Sequence, residues 1–275
     1  MTLLSGAVQP VGDQHDALEM SRIRVIWDAG VTQLILNRPE RRNAIDLVLA
    51  QEFLEACLME RTAASRCILL TGAGPHFCVG GDLKSFQQQS NLPNHLLEVT
   101  SYLHAAIARL VAIPAPLVVA AQGHVAGAGL GLACLADILL TEEGATFRTA
   151  YGALGLTPDA STSYMLPRLI GLRRAQQMAL LGYVVAAEEA VQWGLCSEVV
   201  PAGELLTRAR SIAKDLANGP NLAYGHTSRL LRTAYERGLT DHLDDESMTL
   251  KATAATAHAA EGIAAFVERR SANFN

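Results

Sequence analysis

Four short runs rich in β-branched residues and leucine, at 67–71, 117–121, 138–141 and 199–200, recur along the chain, most of them separated by stretches that read as helix. A strand that is apolar without alternation is buried on both faces, and parallel neighbours need long crossovers, usually helical. The pattern therefore predicts an α/β fold around a buried parallel sheet. Ahead of these runs, residues 24–27 and 31–36 flank Asp28-Ala29-Gly30 as a hairpin, which Asn37-Arg38-Pro39 ends. Asp46 is placed to cap a helix whose apolar positions Leu47, Leu49, Phe53, Leu54 and Leu58 follow a helical period. Beyond about Pro220 the strand signal stops, and residues 222–237, 241–257 and 261–270 read as three helices. Three regions follow: a disordered leader over 1–20, where Gly, Pro, Gln and Asp mix without period, a core over 21–215, and a helical region over 216–275.

Charge narrows the function classes. Lys and Arg number 22 against 27 for Asp and Glu, a formal charge of −5, and no basic stripe is present to release counterions from a phosphate backbone, so no nucleic-acid partner is expected. No apolar run reaches spanning length and residues 1–20 carry neither Lys nor Arg, so no membrane association and a cytoplasmic location are expected. Charged residues are only 18% and the mean hydropathy is +0.19, so some surface is expected to be buried between subunits. Cys57, Cys67, Cys78, Cys134 and Cys196 form no CxxC pair, and the eight histidines form no HExxH, so no metal site is expected.

Glycine turns follow the first two sheet runs, at the carboxyl ends of strands where α/β folds keep their chemistry. In Gly72-Ala73-Gly74-Pro75-His76-Phe77 a dinucleotide loop is ruled out, because Phe77 replaces the third glycine and Cys78-Val79-Gly80-Gly81 continues as loop where a phosphate-binding helix would start. The second turn, 123–131, opens an apolar helix. Its unpaired amides can hold an anion or oxyanion, or its small residues can simply allow close packing.

Taken together, Phe77-Cys78-Val79-Gly80-Gly81-Asp82-Leu83-Lys84 and Ala120-Ala121-Gln122-Gly123-His124-Val125-Ala126-Gly127-Ala128-Gly129 resemble the two signature loops of the enoyl-CoA hydratase/isomerase (crotonase) superfamily. Leu36-Asn37-Arg38-Pro39-Glu40-Arg41-Arg42-Asn43-Ala44, the stretch 187–195 and the helix 261–270 are similar to its opening, late and C-terminal motifs. The resemblance implies a spiral of ββα turns with a helical C-terminal trimerisation region, a homotrimer or dimer of trimers, and a coenzyme A thioester bound as substrate with no cofactor.

It also implies site residues. The amides of Gly81 and Ala128 would hold the thioester oxygen. Alanine stands at Ala128 where the family usually has glycine, so strain arises there if the position needs positive φ. Arg41, Val79, Asp82, Leu83 and Lys84 fall where the family meets coenzyme A. The two glutamates of its hydratases are replaced by Gly131 and Tyr151, which removes the acid–base pair for adding water. Asp159 falls where family isomerases carry a single catalytic aspartate, and where 4-chlorobenzoyl-CoA dehalogenase carries its nucleophile. The dehalogenase's histidine falls on His104 and its indole donor on Tyr151. Less specific roles stay open: Asp159 as a helix cap, His104 as a half-buried helix residue, Tyr151 as a pocket wall. The expected reaction is double-bond isomerisation through an enolate with Asp159 carrying the proton. The alternatives are hydrolysis or dehalogenation through Asp159 with His104 as base, or a catalytically impaired acyl-CoA binder.

Overall fold

The computed structural model describes residues 9–11 and 15–274. The chain begins with antiparallel strands β1 (Gln9–Val11), β2 (His15–Glu19), β3 (Ile23–Asp28) and β4 (Val31–Leu36), then helices α1 (Leu47–Leu58) and α2 (Glu60–Ala63). Strand β5 (Cys67–Gly72) leads to α3 (Leu83–Gln87) and α4 (Leu92–Ala112). Next come β6 (Leu117–Ala121), β7 (His124–Ala126), α5 (Ala128–Cys134), β8 (Ile138–Glu142) and β9 (Thr146–Arg148). Helices α6 (Thr162–Ile170) and α7 (Leu172–Leu181), β10 (Val185–Ala186), α8 (Ala187–Trp193), β11 (Glu198–Val200) and α9 (Leu205–Ala217) complete the core. The tail is α10 (Asn221–Thr233), α11 (Leu239–Ala254) and α12 (Ala257–Glu268).

The main sheet runs β1-β2-β3-β4-β5-β6-β8-β11, parallel from β4 onward, and a small sheet β10-β9-β7 stands apart from it. This is an α/β arrangement around a mostly parallel sheet, as the recurring apolar runs predict. Every residue of β6 is buried, as the unbroken apolar run requires. One sheet face packs under α1 and α4 around Phe53, Leu70, Leu103 and Val119, and the other under α9 around Leu69, Val118 and Leu140. Asp46 caps α1 by accepting from the Leu49 amide at 2.9 Å.

The structure corrects the proposed leader at its C-terminal end. Residues 15–19 form β2, paired in register with β3, because Ala17 is buried, Leu18 packs on the core and Glu19 meets Arg24 at 2.7 Å. The rest of that expectation falls on β1 at 9–11, paired with β2, and on residues outside those described. The tail helices are tied to the core at Asp137, which accepts from the Leu117 amide, the Ser228 hydroxyl and Arg232. Their outer faces expose Leu231, Leu250, Ile263 and Phe266, the last at 86%, and the turn between α10 and α11 exposes Tyr235.

Candidate active site

The two glycine turns are held in phase. Cys78 bridges Val125 in parallel, with the Ala126 amide donating to the Cys78 carbonyl at 3.0 Å, and counting three residues onward from each partner reaches Gly81 and Ala128. Ile45 bonds on either side of Gly81, donating to the Gly80 carbonyl and accepting from the Asp82 amide, so the Gly81 N–H faces the opposite way. Ala128 is the first residue of α5, where the amide has no intrahelical partner. The strain expected at Ala128 is absent. The positive φ falls on the preceding Gly127 at 54° and on Gly80 at 92°, while Ala128 takes ordinary helical geometry. A Cβ at Gly80 would sit 3.3 Å from the Gly127 Cα and 3.4 Å from the Ala128 nitrogen, so glycine lets the turns touch.

Gly81 and Ala128 line a pocket of about 350 Å³ that also contains Tyr151 and Asp159. The Tyr151 hydroxyl donates to Asp159 Oδ1 at 2.5 Å. Burial, then the neighbouring carboxylate, pushes the phenol far above its ordinary pKa, so Tyr151 stays a neutral donor. Asp159 is not a helix cap: the residue in the N-cap position of α6 is Ser161, whose side chain also leaves the helix amides uncapped. Ala160 and Ser161 both take left-handed backbone, φ 47° and 71°, which turns the chain sharply after Asp159. Gly131 receives this turn. A Cβ there would lie 2.0 Å from the Ala160 carbonyl oxygen, so the place that carries a glutamate in two-glutamate hydratases has no room for a side chain.

His104 stands apart from the pocket wall. It is exposed on α4, and its Nε2 accepts from the Ala160 amide at 3.2 Å, which assigns its proton to Nδ1 and occupies the lone pair a base would use. Its neighbours at helical spacing, Leu96, Val99, Thr100 and Leu103, do line the pocket. That i, i+3, i+4, i+7 stripe was readable in the sequence as a helix face, but its destination was not.

Beyond Val79, Gly81 and Leu83, which both cavities share, the pocket opens into a cleft of about 810 Å³ lined by Arg41, Arg42, Lys84 and Arg148. Arg148, on the short strand β9, is the cation that sequence reasoning missed, and it borders both cavities. Asp82 lines the cleft, but its carboxylate is engaged in structure. It caps α3 through the Lys84 and Ser85 amides and pairs with buried Arg38 at 2.7 Å. Burial works to raise its pKa, but the Ser85 amide and Arg38 outweigh it and hold the carboxyl below its ordinary range. Arg38 also reaches Asp46, so one guanidinium ties the caps of α1 and α3 together. Asn43, fully buried, donates to the Ala73, His76 and Phe77 carbonyls and so pins the first glycine turn. Among the described residues no cluster of His, Cys, Asp or Glu could hold a metal, and no helix is long and apolar enough to cross a membrane.

Comparison with known proteins places this arrangement. The enoyl-CoA hydratase/isomerase family profile matches residues 27–275. The chain belongs to the enoyl-CoA hydratase/isomerase family. Among curated members, it is 36% identical over 251 residues to 1,2-epoxyphenylacetyl-CoA isomerase of Escherichia coli K12, covering 90% of this chain and 95% of that one. It is 31% identical over 240 residues to 4-chlorobenzoyl coenzyme A dehalogenase-2 of an Arthrobacter species, covering 86% and 87%. Among solved members, an enoyl-CoA hydratase from Polaromonas sp. JS666 superposes with a TM-score of 0.86 at 28% identity, over 92% of this chain and 99% of that one. As a member of this family the chain is an enzyme acting on acyl-CoA thioesters.

Proposed function

We propose that this enzyme shifts a double bond in an unsaturated acyl-CoA, with Asp159 moving the proton and the Gly81 and Ala128 amides holding the enolate oxygen. The observation that carries this reading is the Tyr151–Asp159 pair. Asp159 is the one carboxylate among the described residues lining the pocket, and it shares that pocket with both amides. Asp159 takes a proton from one carbon, the electron pair moves onto the thioester oxygen, and the same carboxyl returns the proton to the far end of the conjugated system. One base serves both steps. Each preorganised amide is worth roughly 3 kcal/mol of barrier, and Tyr151, kept neutral, orients the carboxylate by donating to it. Arg41, Arg42 and Lys84 give the cleft the cations that coenzyme A phosphates need. The name of a trans-2-decenoyl-[acyl-carrier-protein] isomerase at 29% identity supports a double-bond shift, and that of 1,2-epoxyphenylacetyl-CoA isomerase at 36% supports isomerisation of a coenzyme A thioester in the broader sense.

Replacing Asp159 with Asn keeps shape and removes the proton carrier. Turnover of enoyl-CoA substrates is expected to vanish while calorimetric affinity for a saturated acyl-CoA stays within a few-fold. Retained turnover would reject the assignment. A second reading has one observation in its favour, the His104 imidazole bonded one residue from Asp159. There Asp159 displaces halide from an aryl ring, or coenzyme A thiolate from the thioester carbonyl, and His104, its Nε2 released by the Ala160 amide, activates the water that hydrolyses the resulting ester or anhydride. Accumulation of a covalent enzyme adduct in His104→Gln, seen by intact mass, would establish it over isomerisation. The exposed apolar side chains of α10–α12 support assembly as a trimer, which light scattering of the intact chain checks.

A further inference from the structure

The acyl pocket carries its polar groups in a way that bears on which substrates it accepts. Thr100 turns its hydroxyl back to the Leu96 carbonyl of its own helix at 2.8 Å, and Thr149 donates to the Met178 carbonyl of α7 at 2.9 Å, so both donate to backbone, which leaves Thr157 as the one neutral polar side chain among the described lining residues with no hydrogen bond. The Tyr151 proton is committed to Asp159. What remains around the cavity is Ile45, Phe86, Leu96, Val99 and Leu103, a wall of hydrocarbon with a single negative group in it. The one cation at its edge, Arg148, is exposed and belongs equally to the coenzyme cleft, so it stands at the neck. We propose that the enzyme selects acyl groups that are uncharged along their whole length and rejects those ending in a carboxylate, an inference that rests on this pocket being the acyl site.

Size makes the selection effective. A volume of about 350 Å³ holds about a dozen water-sized groups at roughly 30 Å³ each. A six-carbon diacid acyl group has fewer heavy atoms than that, so the cavity takes it whole, with its terminal carboxylate against the apolar wall. There it gives up hydration, meets no cation beyond Arg148 at the neck, and shares the space with Asp159, whose like charge adds to the penalty.

The test compares hexanoyl-CoA with adipyl-CoA, which share the coenzyme and the chain length and differ in the terminal carboxylate. Both are saturated, so binding is read by calorimetry at pH 7 without turnover. Hexanoyl-CoA is expected to bind on the order of 100-fold more tightly, and the monomethyl ester of adipyl-CoA to recover most of that difference. A ratio below tenfold overturns the inference. Thr100→Lys places a cation on the wall through a residue of α4 that only partly faces the core, and it should narrow the ratio at least tenfold. A folded Thr100→Lys with an unchanged ratio also overturns it, because the discrimination then arises elsewhere. Failure here with turnover still dependent on Asp159 sinks this inference alone. Discrimination without such turnover sinks the isomerase reading alone.

Discussion

Gly131→Ala is a single methyl group whose effect can be worked out from coordinates. The added carbon would lie 2.0 Å from the Ala160 carbonyl oxygen and 2.8 Å from Thr162 Oγ1, and ordinary contact begins at 3.4 Å, so the Ala160 turn must retreat by about 1.4 Å. Helix α5 cannot yield instead, because each of its residues is buried. The peptide that moves joins Ala160 to Ser161, one residue beyond Asp159, and if Asp159 is carried with it the 2.5 Å bond from Tyr151 cannot stretch so far and survive. Misplacing a catalytic group by about 1 Å costs around 100-fold, or about 2.7 kcal/mol of barrier. Overpacking costs roughly 1–3 kcal/mol of stability, and at roughly 2–4 °C per kcal/mol for a domain of this size the melting point should fall by several degrees. Steady-state kinetics should show kcat down about 100-fold, with saturated acyl-CoA affinity within about threefold, since the cleft and both amides are untouched. A variant with native kcat and native melting temperature would refute the argument, because it would mean that the turn on Gly131 does not set the position of the proton carrier.

Three further outcomes are expected. Tyr151→Phe removes the donor to Asp159 but no volume from the wall, so kcat should drop about tenfold, as one hydrogen bond to a charged group implies, with affinity unchanged in calorimetry. The Asp82 carboxyl titrates below its ordinary value in the folded chain, so its contribution to stability is present above that ordinary value, near 3.8, and is lost as pH falls through the lower folded one. Melting curves of the wild type and Asp82→Asn should therefore differ at pH 5–7 and converge in strong acid; parallel curves throughout would contradict this. Burial pushes the thiols of Cys57, Cys67, Cys78 and Cys134 up to about 12, and Cys196 is raised as well, so a disulfide reagent at pH 8 should label the native protein only as fast as it opens and all five cysteines once denatured.

The parts legible in sequence were those where one local rule dominates. Unbroken apolar runs marked β5, β6 and β8, and Asp46 marked the start of α1. The small sheet escaped notice because its strands are two or three residues long, too short for any period to register, yet β9 delivers Arg148 to the neck of the pocket. Strand β2 escaped because His15–Glu19 is mostly polar, and it is held by pairing with β3 and by burial of the single alanine Ala17. At the site, Gly81, Ala128, Tyr151 and Asp159 do share one pocket. The bond between Tyr151 and Asp159 was not deducible from their spacing, because a tight turn and two left-handed residues surround the interval. His104 diverged for a simpler reason: it lies at the edge of the α4 stripe and reaches a backbone amide before it reaches the cavity.

The bridge between Cys78 and Val125 implies a particular pattern of tolerance to mutation. Both proposed oxyanion donors are main-chain atoms reached by counting the same number of residues from one paired position, so their alignment depends on chain length rather than on side-chain identity. Exchanging Val79 or Ala126 for another residue that fits leaves the count intact. Inserting or deleting one residue between the bridge and either donor shifts that donor by about 3.3 Å and turns its peptide over, while its partner stays where it was. In a library of variants, these two short segments should accept many spellings and almost no insertions or deletions.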